Sequence, residues 1–464
     1  MVRLFRVFVP TSVVALLLSE TILLFSCYIL ASFFILDSDP TVFLLYEGGL
    51  SRIALVVGCE MLGIYFHDLY TQFRVTSRIL LVQQLCLVVG IAFLTQALLS
   101  YLKQPEWILS KWLMIIGSGL VLILLPAWRM LYGSIVLKAI GSERVLFLGS
   151  SPVVQEISDY LGEHPEIGLS AAGYLEDCKH PGDAISSMPR VGCIHELQRA
   201  VSNQQPDRIV VGLAERRGRL PVHELLDLRF SGIRIEDVST TYESTFGRVC
   251  VRALQPSQLI FSAELGPRRN RVFWQSIYSF IIALTATLIT APIMLLVAIV
   301  VKLTSKGPIL YRQKRIGRNG EPFTLFKFRS MYANAEADTG PVWAKKNDPR
   351  ITPAGFWLRR LRLDELPQLL NVVRGEMSIV GPRPERPEFV QTLTEQIPYY
   401  RQRHCVKPGI TGWAQINHKY GDTIEDTIRK LEFDLYYIKN LAPSLDAYII
   451  FHTLKVMLLS RGAQ

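Results

Sequence analysis

The sequence has no closely spaced pair of cysteines. None of its seven cysteines belongs to a CxxC pair, so the spacing of a zinc site and the framework of a disulfide-rich domain are both missing. Three of them, Cys27, Cys59 and Cys86, lie in apolar runs. We therefore expect reduced, buried cysteines in a protein that faces the cytosol. The first apolar run also lacks a signal-peptide cleavage site, which predicts a retained membrane span.

A glycine-rich dinucleotide fingerprint is absent too. Between residues 141 and 265, strand patterns such as Arg144–Ser151 and Asp207–Gly212 alternate with helical ones such as Leu220–Phe230. This alternation predicts a Rossmann-like α/β module. Its first turn, Gly149–Val154, does not read GxGxxG, so the glycines that let a pyrophosphate approach the backbone are missing.

The role of this α/β module stays open at the level of the sequence. The module could be structural or regulatory, bind a nucleotide or sugar nucleotide at a helix N-terminus, or mediate self-association without chemistry of its own. A further hypothesis makes it an NAD-dependent sugar-modifying enzyme, which the missing fingerprint opposes.

Long hydrophobic runs are abundant. Half of the residues are hydrophobic, and residues 1–140 predict a domain of four transmembrane helices, because the runs approach the ~20 residues that cross a bilayer. The predicted spans are Val9–Leu36, Gly49–Phe66, Ile79–Leu99 and Trp112–Leu125. Basic residues favour the cytoplasmic side, and they place both ends of this block inside. Those residues are Arg3, Arg6, Arg74, Arg78, Lys138 and Arg144.

The net charge of +10 fits several partners, namely nucleic acid, anionic lipid or phosphorylated small molecules. In a membrane protein, basic residues accumulate on cytoplasmic loops, and we interpret most of the excess in this way. Nucleic acid is therefore not an expected partner. Glu20 and Glu60 lie within predicted spans, where a carboxyl is either functional or paired with a neighbouring helix.

A fifth apolar run covers Val272–Val301 and contains Pro292. A straight helix of this length would measure roughly 45 Å, against a hydrocarbon thickness of ~30 Å, and a proline kinks a helix. Both flanks are basic and so prefer the cytoplasm. These features together predict a re-entrant helix at about 272–301 that bends near Pro292, with a plain span as the alternative. The basic flanking residues are Arg268, Arg269, Arg271, Lys302, Lys306 and Arg312.

Chemistry-bearing motifs are concentrated after Ser305. Asp364 and Glu365 precede Pro367, and Asp364 is predicted to cap a helix that runs through Val373. At the positive end of that helix, an ionised carboxylate and phosphate oxygens are both favoured. An ionised carboxylate beside arginines suits a nucleophile for a phosphoryl group or a ligand of Mg²⁺. The alternative is a structural helix cap with a surface ion pair.

Cationic side chains cluster around this dyad in the sequence. Arg383 stands between two prolines in a Gly-Pro-Arg-Pro motif, which predicts a rigid arginine that grips phosphate. Lys327 and Arg329 lie two apart in an expected strand and would share one face. Solvated surface cations are the alternative for each residue taken singly. A purely structural membrane protein would not explain the combination.

Residues 268–464 resemble the bacterial sugar transferases, the polyprenyl-phosphate hexose-1-phosphate transferases, which are monotopic phosphoglycosyl transferases. The motifs that carry the resemblance are Lys327–Met331, Leu363–Leu369, Gly375–Pro384 and Lys407–Gln415. The four spans and the α/β module resemble the long form that initiates exopolysaccharide and O-antigen synthesis. The expected architecture is therefore a membrane protein of mixed α and α/β class, with a mainly α catalytic domain at residues 266–464.

The resemblance implies a specific reaction. The family's Asp-Glu dyad matches Asp364 and Glu365, and the aspartate attacks the sugar-bearing phosphate of a UDP-sugar, so that UMP leaves. Undecaprenyl phosphate then takes the sugar phosphate, with Mg²⁺ bridging the aspartate and the diphosphate. Arg359 and Arg383 match the family's phosphate-binding arginines. Pro292 matches the proline at which the family's re-entrant helix breaks.

One motif departs from the family. Where many members have Val-Asn-Gly-Arg, this chain has Ile416-Asn-His-Lys419, so Lys419 would replace an arginine with a point charge. The resemblance also implies a multi-pass protein of the bacterial inner membrane with its catalytic domain in the cytoplasm, and it allows a homodimer. The sugar is left open among UDP-glucose, UDP-galactose and their N-acetyl relatives.

Overall fold

The computed structural model describes residues 2–36, 39–67, 69–70, 78–133, 142–178, 185, 187–213, 219–254, 266–332, 348–418 and 423–458. These residues form two compact units. The first consists mainly of Val9–Glu236, and the second combines Arg3–Phe8 with the chain from Asp237 onward. The second unit thus begins within the stretch that the sequence assigned to the α/β module. The reason is that the amide of Val249 donates to the carbonyl of Glu432 and the amide of Val251 donates to the Glu432 carboxylate, at 3.1 Å in both cases.

Among the described residues, five helices are long and apolar enough to cross a membrane, which supports the prediction of a membrane protein. Four of them belong to the first unit and agree closely with the predicted spans, with a short helix α2 between the first two. The helices are α1 (Thr11–Ile35), α2 (Pro40–Leu45), α3 (Gly49–Phe66), α4 (Arg78–Tyr101) and α5 (Lys111–Leu131).

The two acidic residues within the spans are both buried and paired. Glu20 is fully buried and receives a two-pronged contact from Arg129, with nitrogen–oxygen distances of 2.6 and 3.0 Å. Tyr70 donates a further hydrogen bond to Glu20 at 2.8 Å. Glu60 accepts a hydrogen bond from Tyr28 at 2.7 Å. Both carboxyls therefore connect neighbouring helices, which is the packing role left open by the sequence.

The first unit also contains a five-stranded sheet with the strand order β5-β4-β3-β6-β7. The pairs β3–β4, β3–β6 and β4–β5 are parallel, which confirms the predicted parallel α/β sheet. The strands are β3 (Glu143–Leu148), β4 (Leu169–Glu176), β5 (Arg190–Cys193), β6 (Arg208–Val211) and β7 (Arg234–Asp237). The helices are α6 (Pro152–Glu163), α7 (Leu197–Gln204) and α8 (Val222–Phe230).

One expectation about the cysteines is wrong. Cys178 and Cys193 form a disulfide, with their Cα atoms 5.6 Å apart, whereas the sequence pointed to reduced cysteines throughout. The parallel pairing of β4 with β5 places Glu176 opposite Cys193, and so brings the two thiols together across the sheet. A spacing of 15 residues gives no sign of that pairing.

The second unit has a mainly helical core with several short strands. The N-terminal strands β1 (Val2–Leu4) and β2 (Val7–Val9) belong to it through Arg3–Phe8, and Tyr436 donates to the carbonyl of Arg6 at 2.7 Å. The later strands are β8 (Leu310–Ile316), β9 (Pro322–Phe328), β10 (Ser378–Val380) and β11 (Gly409–Thr411). The first helices are α9 (Val238–Phe246) and α10 (Arg269–Thr304), and the remaining ones are α11 (Pro353–Arg360), α12 (Gln368–Val373), α13 (Pro387–Gln396), α14 (Trp413–Asn417), α15 (Ile424–Asn440) and α16 (Pro443–Leu458).

Helix α10 is the fifth apolar helix, and it contains Pro292. Near its start, Gln275 is buried and donates to Asp446 at 3.1 Å. Near its end, Val297 and Val301 pack into a cluster with buried residues of β9 and α11. Its middle part exposes large apolar side chains to the surroundings, among them Leu288 and Ile289. Both ends of the helix are thus anchored in the same unit.

The contribution of the buried Glu20–Arg129 ion pair to the stability of the protein can be tested by substitution. Arg129→Met leaves a buried carboxylate without its cation, a change that costs roughly 3–5 kcal/mol in general. We expect a clearly lower melting temperature for the detergent-solubilised protein, measured by fluorescence-detected thermal unfolding. Lys111→Met, at the exposed start of the same helix, serves as the control and should change little. Equal melting temperatures for Arg129→Met and wild type would contradict the prediction.

Candidate active site

The site is built first from an antiparallel hairpin. Strands β8 and β9 pair from Leu310 opposite Phe328 to Ile316 opposite Pro322. Phe326 and Phe328 share one face of β9 and are both buried. Because side chains alternate along a strand, Lys327 lies on the opposite face, and the strand delivers its ammonium group to the dyad.

The dyad lies on a short turn and not at a helix cap. Leu363–Glu365 form a 3-10 turn, and α12 begins only after Pro367, which occupies the cap position without a side-chain hydrogen bond. The predicted capping role of Asp364 is therefore wrong, while the proline at the helix start is confirmed. The turn follows Arg362, whose φ of 54° lies in the left-handed region. This conformation reverses the chain between α11 and the dyad, and non-glycine residues adopt it at a cost in energy.

Glu365 is the electrostatic centre of the site. Its Oε1 atom accepts from Lys327 Nζ at 2.7 Å and from Arg383 Nη2 at 3.1 Å, and only 15% of its side chain is exposed. Burial alone would raise the pKa of Glu365, but Lys327 and Arg383 outweigh burial and hold that pKa well below its usual value. Glu365 is therefore ionised at neutral pH and fixes two cations that come from distant parts of the chain.

Asp364 is in the opposite situation. Asp364 is only 7% exposed. Burial and the neighbouring Glu365 carboxylate raise the pKa of Asp364 to about 6. Lys327, Arg359 and Arg383 act in the opposite direction but do not cancel this rise. None of the described residues donates a hydrogen bond to its carboxylate. The two acids thus have distinct states: one is neutralised by ion pairs and the other keeps its oxygens available.

Arg359 is held beside the dyad by close packing of α11. Thr352 caps this helix by accepting from the amide of Gly355 at 3.0 Å. A Cβ atom at Gly355 would lie 1.9 Å from the carbonyl oxygen of Ser330, so only glycine allows the helix to approach the chain there. Arg359 then donates from Nε to Ser330 Oγ at 2.9 Å, which orients its guanidinium group.

Arg329 occupies a different place from the one expected for a partner of Lys327. It follows the end of β9, and its Nη2 atom donates to the carbonyl and the hydroxyl of Ser305, at 2.7 and 2.8 Å. Its side chain therefore closes the C-terminal end of α10, where a cation stabilises the helix. The structure brings Lys327, Arg383 and the dyad together, whereas Arg329 lies at the end of α10.

Two further predicted residues are located as follows. Lys419, the predicted substitute for the family arginine, lies outside the described residues. Pro292 lies within the apolar middle of α10. His418, which precedes Lys419 in the chain, contacts Asp426 at 3.2 Å and stacks on Phe433.

Sequence reasoning missed Asn371, which sets the spacing between the dyad and Lys327. Asn371 is fully buried in α12. Its Nδ2 atom donates to the carbonyl of Thr324 at 2.7 Å, and its Oδ1 atom accepts from the amide of Phe326 at 3.1 Å. The side chain thus continues the hydrogen bonding of β9 and fixes α12 to it. The available signal was a polar residue in the apolar run from Leu369 to Val373.

Comparison with known proteins gives this geometry a context. Residues 270–460 match the family model described as bacterial sugar transferase. The chain is 35% identical over 347 residues to a UDP-glucose:undecaprenyl-phosphate glucose-1-phosphate transferase of Klebsiella pneumoniae. This match covers 74% of this chain and 73% of that protein. It is also 35% identical over 327 residues to the protein of the same name from Xanthomonas campestris pv. campestris, and this match covers 68% of this chain and 66% of that protein.

A third relative has a different sugar in its name. The chain is 40% identical over 232 residues to a UDP-N-acetylgalactosamine-undecaprenyl-phosphate N-acetylgalactosaminephosphotransferase of Aeromonas hydrophila. The match covers 50% of this chain and 54% of that protein, so the chain spans about half the length of this relative. The family match includes the dyad turn, Lys327 and Arg383, and the similarity to the Klebsiella protein extends it well beyond residue 270 toward the N-terminus. The chain belongs to the bacterial sugar transferase family.

Proposed function

We propose that this protein transfers a sugar-1-phosphate from a UDP-sugar to undecaprenyl phosphate at the cytoplasmic membrane, with release of UMP. The observation that carries the proposal is the asymmetry of the dyad. Glu365 is bound by Lys327 and Arg383, whereas the Asp364 carboxylate is buried, adjacent to cations and without a hydrogen-bond donor among the described residues. The names of the relatives, which include transferases for glucose and N-acetylgalactosamine, support this substrate class.

In the first step, an oxygen of the Asp364 carboxylate attacks the phosphorus atom that bears the sugar. The bond between that phosphorus and the bridging oxygen breaks, UMP leaves with the bridging oxygen, and an acyl phosphate forms that links the sugar phosphate to Asp364. A carboxylate with few hydrogen bonds is a better nucleophile than one whose lone pairs are occupied. In the second step, a phosphate oxygen of undecaprenyl phosphate attacks the same phosphorus, and the free Asp364 carboxylate is restored.

The cations around the dyad would stabilise charge on the phosphoryl group. Arg383 and Lys327 are fixed by Glu365 before substrate arrives, and preorganised cations of this kind act without a cost of rearrangement during the reaction. Arg359 approaches from α11 and is oriented by Ser330. Three separate elements thus present positive charge to one carboxylate.

Mg²⁺ fits this donor set. Asp364 would hold it, since its oxygens accept no hydrogen bond from the described residues, and Mg²⁺ is usually bound by one or two carboxylates together with substrate phosphates. The described residues contain no group of three or more His, Cys, Asp or Glu that would form a cage of protein ligands. The ion would offset the charge of the diphosphate.

A re-entrant path for α10 is part of the proposal, with the catalytic unit in the cytoplasm. Gln275 and Ser279 near the start of α10 bond to Val380 and Ile379, and Val301 near its end packs beside Phe328. Since both ends contact one unit and the middle is exposed and apolar, a helix that dips into the bilayer and returns satisfies these contacts. The site would then lie at the height of the lipid phosphate.

Substitution of Asp364 tests the covalent step. Asp364→Asn should abolish UMP release, by at least about 10³-fold, because an amide is a poor nucleophile toward phosphorus. Wild-type protein with a radiolabelled UDP-sugar and no lipid acceptor should carry label on the peptide that contains residue 364. Asp227→Asn, an exposed residue of α8, is the control and should retain full activity. Full activity of Asp364→Asn with any of the four UDP-sugars would disprove the mechanism.

The dyad also predicts a pH dependence. Because the pKa of Asp364 is raised to about 6, its nucleophilic form declines as the pH falls through that value, and the rate of the first step should decline with it. Glu365→Gln removes the adjacent negative charge, so the pKa of Asp364 should fall and the acidic limb should move to lower pH, even though the maximal rate drops. The measurement is single-turnover UMP release between about pH 4.5 and about pH 8. This range brackets the pKa of about 6 for Asp364. An acidic limb at the same pH in both proteins would contradict this assignment.

A further inference from the structure

We infer that Arg403 and Arg315 are positioning residues for the reaction, which act by fixing the backbone that carries Arg383. This inference rests on the proposed function of Arg383 in binding phosphate. Neither residue contacts Glu365 or Asp364 through a hydrogen bond among the described residues. Their effect on the site passes through the loop from Gly381 to Glu385.

The backbone of this loop is hydrogen-bonded along its whole length. The four carbonyls from Pro382 to Glu385 each accept a hydrogen bond from a distant part of the chain. The donors to Pro382 and Glu385 are the amides of Gly409 and Ile316, at 3.0 and 2.9 Å. Pro382 and Pro384 have no amide N–H to donate, so the loop is held mainly through its carbonyl acceptors.

Arg403 binds the central carbonyl of the loop. Its Nη2 atom donates to the carbonyl of Arg383 at 3.0 Å, and its Nε atom donates to Asp434 at 3.0 Å. Its Nη1 atom donates to the hydroxyl of Tyr400 at 2.9 Å. Arg403 is 6% and Asp434 is 2% exposed. A buried ion pair is therefore placed directly behind the peptide whose side chain reaches Glu365.

Arg315 binds the next carbonyl from the other side. It projects from β8, and its Nη1 atom donates to the carbonyl of Pro384 at 3.0 Å. Its Nε and Nη2 atoms donate to Gln313 at 3.0 and 2.7 Å. Two guanidinium groups from separate elements thus hold consecutive peptides and fix the backbone from which the Arg383 side chain projects.

Lysine cannot reproduce this arrangement, although it keeps the charge. The planar guanidinium of Arg403 serves three acceptors in fixed directions, whereas an ammonium group on a flexible stem is a single point. In Arg403→Lys the charge of Asp434 remains neutralised, so the fold should survive, but the carbonyl of Arg383 loses its donor. A shift of about 1 Å in a substrate-binding group can cost roughly 10²-fold in rate.

The test is a double-mutant cycle with Arg383. Arg403→Lys should lower kcat/KM for the UDP-sugar by roughly 10- to 100-fold with a melting temperature close to that of wild type. In an Arg383→Ala background, the same substitution should change kcat/KM by less than about threefold, because the residue through which it acts is gone. Arg401→Lys, an exposed arginine in the same turn, is the matched control and should leave activity unchanged.

A second readout does not depend on turnover. Hydrogen–deuterium exchange at the amides of Gly381, Arg383 and Glu385 should be faster in Arg403→Lys than in wild type or Arg401→Lys. If Arg403→Lys does not fold, Arg315→Lys takes its place in the cycle with the same expected non-additivity. Additive effects with Arg383→Ala, or unchanged exchange in the loop, would overturn the inference. If wild-type protein releases no UMP from any UDP-sugar, the proposed function fails, and exchange alone decides whether Arg403 anchors the loop.

Discussion

The ion pairs of Glu365 are the interaction on which the site depends. Lys327 comes from a hairpin, Arg383 comes from a proline-bounded loop, and one carboxylate oxygen binds both. Holding two cations at one place is unfavourable unless an anion lies between them, since like charges repel strongly where little water screens them. Glu365 supplies that anion. Its neighbour Asp364 then experiences cations that are already in position, while its own oxygens remain available.

The surrounding structure serves this arrangement by fixing backbones. Asn371 joins the helix after the dyad to the strand that carries Lys327. Gly355 lets α11 approach Ser330, which orients Arg359. Arg403 and Arg315 hold the loop of Arg383. Asn371 and Arg403 are buried, and each satisfies a backbone acceptor or donor that would otherwise be costly to bury. The position of the charges thus follows from hydrogen bonds several residues away from the chemistry.

Much of the fold could be predicted from the sequence because its signals are local. The four N-terminal apolar helices follow from the length of the apolar runs, and the parallel α/β sheet follows from the alternation of strand and helix patterns; both are present. The cap predicted at Asp364 was wrong, since Arg362 adopts a left-handed conformation and a 3-10 turn intervenes. The disulfide between Cys178 and Cys193 was also missed. Both depend on how separate segments meet, and a pattern within one segment does not record that.

The sequence by itself determined the family and the residue types of the site: an acidic dyad, a lysine on a strand and an arginine between prolines. Only the tertiary structure decided the roles of these residues. It assigned the ion pairs to Glu365 and left Asp364 without a hydrogen-bond donor among the described residues. It also placed Arg329 at the end of α10 and Arg403 behind Arg383. The physical reason is that the charge state of a buried carboxyl is set by the distance and direction of its neighbours. Those neighbours come from parts of the chain that are brought together only by folding.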